Sequence, residues 1–183
     1  MDRRLESKSK FLSLVLRHEP GRIGLELDSA GWADLDDLVR LANAHGRGLT
    51  RALVEEIVAT NDKRRFAIDP SGTRIRANQG HSVAVDLGLV PAEPPEVLFH
   101  GTATRFLPLI RATGLSPRSR QHVHLSANRA TALAVGRRHG TPAVLVVHAA
   151  DMHRDGHAFF CSANGVWLTG VVLPLYLDFP HDA

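Results

Sequence analysis

At 183 residues, with 44% hydrophobic residues, a net charge of +3 and a sequence pI near 9.6, the chain has room for one large domain or two small lobes around an ordinary soluble core. Its charge favours an anionic partner without naming one. Cys161 is the only cysteine, which excludes an intrachain disulfide and a zinc ribbon, and the longest apolar runs, such as Phe11–Leu16 and Ala143–Val147, are far too short to span a bilayer.

The N-terminus carries basic residues but neither a long apolar region nor a small-residue cleavage site, so the expected location is the cytoplasm, with no membrane partner. Lys8, Lys10 and Lys63 are the only lysines, and every other cation is an arginine. Arginine presents a planar fork to phosphate, and a GC-rich genome gives the same skew.

In chain order, Phe11, Leu14 and Val15 recur at helical spacing, which predicts an amphipathic helix over Glu6–Arg17. Pro20 and Gly21 stop it. Asp34 caps a second helix, with Asp36 and Asp37 at its positive end and Leu35, Leu38, Val39 and Ala42 on its buried stripe. Thr50 caps a third, with Leu53, Val54, Ile57 and Val58 inward. Arg65–Asp69 and Thr73–Ala77 alternate around the turn Pro70-Ser71-Gly72. Three helices and a hairpin form a winged-helix pattern. Val90–Glu96, with three prolines, is the linker candidate, and we divide the chain at 1–90 and 91–183.

The second lobe is expected to hold a strand over Val97–His100 ending at Gly101, and a helix over Pro108–Thr113 closed by Gly114. A further helix runs from its cap at Asn128 to His139. Strands follow at Ala143–His148, Ala158–Cys161, Val166–Leu168 and Val171–Leu177. Short strands dominate, so the expected class is α+β, with a mixed or antiparallel sheet in this lobe.

Arg120–Ser126 is the most informative stretch. As a strand it places Arg120, His122, His124 and Ser126 on one face. That face either wets one side of a sheet or lines a cleft for an anion. His122-x-His124 also permits a metal, but no third ligand stands at a metal-site spacing, and none is expected. Arg17-His18 closes the first helix, where cations complement the macrodipole or clamp a phosphate. His100-Gly101-Thr102 is either an ordinary turn or a place where glycine lets a ligand approach the backbone. Rossmann, P-loop and nucleophile-elbow motifs are missing, and no glutamate follows Glu96.

Seven segments, in order, resemble the RNA (tRNA) 2′-phosphotransferase family. They are Leu16-Arg17-His18, residues 61–66, residues 75–82, His100-Gly101-Thr102, residues 120–126, Arg138-His139-Gly140 and residues 164–169. The resemblance implies a winged-helix lobe followed by an ADP-ribosyltransferase-like lobe. It also implies a reaction in which an internal RNA 2′-phosphate attacks the ribose of NAD⁺ and expels nicotinamide, giving an ADP-ribosylated RNA. The neighbouring ribose hydroxyl then takes the phosphate, releasing 2′-hydroxyl RNA and ADP-ribose 1″,2″-cyclic phosphate. NAD⁺ is a consumed co-substrate, and no metal is required.

By motif the catalytic group falls on Arg17, His18, Arg65 and Arg120. NAD⁺ binding falls on His100, Gly101 and Thr102, with His124, Ser126, Thr131 and Arg138 as further candidates. The expected partner is a tRNA-like RNA carrying a 2′-phosphate, and the expected state is a monomer. Two alternatives share these residues in whole or part: a transferase that stops after ADP-ribosylating a nucleic-acid end, and a non-enzymatic winged-helix DNA-binding protein.

Overall fold

The computed structural model of the chain describes residues 3–180, the Arg3 side chain excepted. It is α+β, built from small antiparallel sheets, and divides into two compact units after Gly88.

In the first unit, α1 (Arg3–Arg17) is followed by a 3-10 turn at Pro20–Ile23. After β1 (Ala33–Asp34) come α2 (Leu35–Ala44), α3 (Arg51–Thr60), β2 (Phe66–Ile68) and β3 (Arg74–Ala77). Both predicted caps form: the Asp34 carboxylate accepts from Asp37 N, and the Thr50 hydroxyl accepts from Leu53 N. β3 lies between β1 and β2, pairing Ile75 with Ala33 and with Ile68. The short β1 adds an edge that periodicity does not reveal, because two residues show no alternation. Leu12, Val15, Leu16, Leu35, Leu38, Val54, Ile57, Phe66 and Ile75 form the core. Leu14, expected on the buried stripe of α1, is only half-buried; Leu12 and Leu16 take the inner face with Val15. Beyond the hairpin, the chain returns to the end of α1, where Ser82 N donates to Arg17 O at 2.9 Å.

The second unit contains β4 (Leu98–Ala103), α4 (Leu107–Thr113), β5 (Val123–Leu125), α5 (Arg129–Gly136) and β6 (Pro142–Val147). It continues with α6 (Ala149–Arg154), β7 (Phe159–Cys161), β8 (Trp167–Thr169) and β9 (Leu177–Asp178). Two antiparallel sheets, ordered β4-β6-β9 and β5-β8-β7, meet where Phe99 and Ser126 exchange backbone hydrogen bonds of 2.8 and 2.9 Å. Leu98, Leu125, Leu145, Val147, Met152 and Phe159 form the core between the elements.

Four expectations need correction here. The strand predicted over Arg120–Ser126 is only Val123–Leu125, because Arg120 is held in a turn by its N–H to Pro117 O (3.1 Å). Val171–Leu177 is not a strand. Pro174 has no N–H to give a ladder and opens a 3-10 turn instead, leaving one bridge at Val172 and the short β9. The linker candidate is partly paired, with Ala92 N donating to Phe159 O at 2.8 Å.

β4 does not end at Gly101 but continues through it to Ala103. The glycine is required by α5, which crosses directly above. A Cβ on Gly101 would lie 1.8 Å from Ala132 O, and one on Gly136 would lie 2.6 Å from Thr102 O. Two glycines facing each other across the strand and helix let their backbones touch. Gly101 therefore serves the packing of α5 rather than a turn.

Candidate functional site

In the first unit the site begins where α1 stops. Arg17 is its last residue, and His18 follows in a turn with its N–H still bonded to Leu14 O at 2.9 Å. The Arg17 guanidinium donates from Nη2 to Arg65 O at 3.3 Å and lies 5.9 Å from the centre of the Phe66 ring. The same Arg65 carbonyl accepts from Asn78 N at 2.9 Å, and Asn78 Nδ2 also donates to Arg64 O. Arg64 is held at φ +41°, a conformation costly for a side chain this large. Arg17, His18 and the backbone of Arg65, three residues of the first unit named from sequence, thus meet in one corner, with β2 and the segment after β3 fixing the Arg65 backbone.

Two neighbours in that corner escape sequence reasoning. His18 Nδ1 lies 3.0 Å from Ser82 Oγ. His81, only 1% exposed, has neither ring nitrogen hydrogen-bonded. Burial, reinforced by Arg17, His18 and Arg76, pushes its pKa down to about 4. Arg17, His18 and Arg76 bring three basic groups to bear on His81, which gives this corner a positive potential suited to an anion. The only sequence signal for these residues was their place in the segment 75–82.

In the second unit, Val123 and Leu125 face the core and His124 faces the other way, as alternation predicts. Arg120 Nη1 reaches His124 Nδ1 at 2.7 Å, and His100 Nδ1 lies 3.1 Å from His124 O. These contacts fix both imidazoles. Guanidinium has only donors, so His124 Nδ1 accepts and a neutral ring carries its proton on Nε2. A carbonyl only accepts, so His100 carries its proton on Nδ1. Burial, with lesser contributions from His139 and Arg120, holds the His100 pKa down, leaving a lone pair on Nε2. One ring therefore offers a donor and the other an acceptor.

The remaining candidates are placed less centrally. Ser126 is half-buried beside His100 through its bridge to Phe99, and Thr102 is buried beneath α5. Thr131 on α5 and Arg138 in the 3-10 turn Arg137–His139 are exposed, and neither is tied to the Arg120–His124–His100 chain. His139, adjacent to Arg138, acts on His100 electrostatically; the sequence points to it only as part of the segment Arg138-His139-Gly140. His122 packs its ring 5.7 Å from that of Phe160 rather than joining His124 as a metal pair. Among the described residues, no three His, Cys, Asp or Glu side chains cluster as a metal site. No helix there is long and apolar enough to cross a membrane.

Residues 3–170 match the model of the RNA 2′-phosphotransferase, Tpt1/KptA family. The chain belongs to the RNA 2′-phosphotransferase family. The match takes in every candidate residue above. The "Probable RNA 2′-phosphotransferase" of Rhodopirellula baltica is 57% identical over 180 residues, 98% of each chain. Proteins of the same name from Streptomyces coelicolor and Pseudomonas aeruginosa are each 59% identical, over 172 and 171 residues. They cover 94% and 92% of this chain and 93% and 94% of their own.

Proposed function

We propose that the protein is an NAD⁺-dependent RNA 2′-phosphotransferase, with a winged-helix first unit and an ADP-ribosyltransferase-like second unit. The observation that carries this reading is the basic corner at the end of α1, where Arg17 and His18 meet the Arg65 backbone, the residues to which the resemblance assigns phosphate handling.

An RNA 2′-phosphate is largely ionised near neutral pH and needs positioning rather than a base. Arg17 and Arg65 hold it, since guanidinium groups match phosphate oxygens in pairs. NAD⁺ supplies the ribose carbon that the phosphate attacks, and nicotinamide leaves. His100 Nε2 is suited to accept from a ribose hydroxyl, and His124 Nε2–H to donate to an oxygen. Gly101, Ser126, Thr102, Thr131 and Arg138 complete the NAD⁺-binding set in this reading, and Gly101 also lets α5 pack against β4. In the second step the ribose 2″-hydroxyl attacks phosphorus and the bond to the RNA 2′-oxygen breaks. The RNA leaves with a 2′-hydroxyl. Arg120 and His18 serve this step, where the pentacoordinate transition state gathers charge and the departing oxygen gains a proton.

The test is a short RNA with a labelled internal 2′-phosphate, incubated with the full chain with and without NAD⁺. Loss of label from the RNA only when NAD⁺ is present supports the reading. Loss without NAD⁺, or retention in its presence, overturns it.

A further inference from the structure

We propose that Ser82 is a positioning residue that holds the His18 ring in one orientation as that ring gains and loses a proton. The proposal rests on the reading of His18 as an acid–base group in phosphate transfer.

The geometry is local and built twice over. The backbone of residues 82 and 83 is tied to the end of α1, with Ser82 N and Val83 N donating to Arg17 O at 2.9 and 3.4 Å. These bonds set the Ser82 side chain against His18, 64 residues away in sequence, with Oγ 3.0 Å from Nδ1. The same hydroxyl also lies 3.5 Å from Arg17 O.

A hydroxyl can play either part in a hydrogen bond. When the imidazole is neutral, Ser82 O–H donates to Nδ1, and the ring proton is confined to Nε2. When the imidazole is protonated, Nδ1–H donates to Ser82 Oγ, and the hydroxyl hydrogen turns towards Arg17 O. The ring need not rotate between the two states. A carboxylate would accept only and would favour the cation; an alkyl group would hold neither state. The charged and titratable groups in this corner include Arg17, His81 and Arg76, with Arg65 tied in through its backbone carbonyl. His81, neutral in the fold, contributes no charge of its own near neutral pH. Because Arg17 O is already held by two backbone donors, removing the hydroxyl leaves the loop in place. Ser82 and His18 are both exposed, so the substitution opens no core cavity.

The experiment compares wild type, Ser82→Ala, Ser82→Thr and His18→Ala as full chains. Histidine-selective 15N NMR reads the His18 tautomer, and steady-state kinetics are measured with NAD⁺ and a short 2′-phosphorylated RNA. Wild type should show His18 with its neutral proton on Nε2. Ser82→Ala should show a mixture of tautomers and a kcat lower by about ten-fold, with KM within about two-fold, the signature of a lost transition-state interaction. Ser82→Thr should restore both. An unaltered tautomer or wild-type kcat in Ser82→Ala, or a loss that threonine does not repair, overturns the proposal while an inactive His18→Ala leaves the reading of the site standing. Wild-type turnover by His18→Ala sinks that reading, and the role of Ser82 with it.

Discussion

Gly101→Ala should destabilise the second unit severely, although it adds a single methyl group. That methyl would sit 1.8 Å from Ala132 O, 2.6 Å from Ala132 C and 3.0 Å from Gly136 N. Ordinary carbon–oxygen contact begins at about 3.3 Å, so α5 must retreat from β4 by roughly 1.5 Å. The obstacle is helix backbone, which has no rotamer to change. The cost therefore belongs at the upper end of overpacking, about 3 kcal/mol. For a unit of this size that corresponds to a fall in Tm of at least about 12 °C. Scanning calorimetry of the full chain measures it. A fall of less than about 3 °C would refute the packing account and leave Gly101 only the role of admitting a ligand. In that case the variant would keep its stability and lose affinity for NAD⁺ alone.

Arg120→Ala should stall the reaction after its first step. Denaturing gels would then show ADP-ribosylated RNA accumulating in place of the dephosphorylated product; wild-type turnover would remove Arg120 from the mechanism. Acid should weaken the first unit through His81. The unfolded chain takes up the proton below about pH 6.5, whereas the native ring resists it to about 4, so this stabilisation is complete above that window and lost as pH falls through it. The loss is at most about 3 kcal/mol, and His81→Leu should remove that part of the slope in denaturant titrations across the window. Affinity for the phosphorylated RNA should fall steeply with salt, by roughly 0.7 log units per log unit of salt for each phosphate contact. A flat salt dependence in fluorescence anisotropy would contradict an arginine-based site.

Local chemistry made much of the fold legible. Asp34 and Thr50 announce their helices because each cap is satisfied within three residues, and the Pro70-Ser71-Gly72 turn fixes the hairpin register. The basic residues at the end of α1 and before β2 could be named from motif and placed by those elements. What remained hidden depends on partners distant in sequence. The role of Gly101 is visible only once α5 lies across β4. Ser82 and His81 acquire meaning from the end of α1, and Arg120 leaves its expected strand because the turn at Pro117 captures its backbone. The six residues of α6 sit directly behind an apolar strand and carry too few turns for periodicity to separate them.

Mass spectrometry of the products from NAD⁺ and a short RNA bearing one internal 2′-phosphate tests the central claim most directly. The account predicts nicotinamide, ADP-ribose 1″,2″-cyclic phosphate and RNA lighter by one phosphate, in equal amounts. RNA that stays ADP-ribosylated with no cyclic phosphate, or RNA whose phosphate appears as inorganic phosphate with NAD⁺ intact, would contradict it.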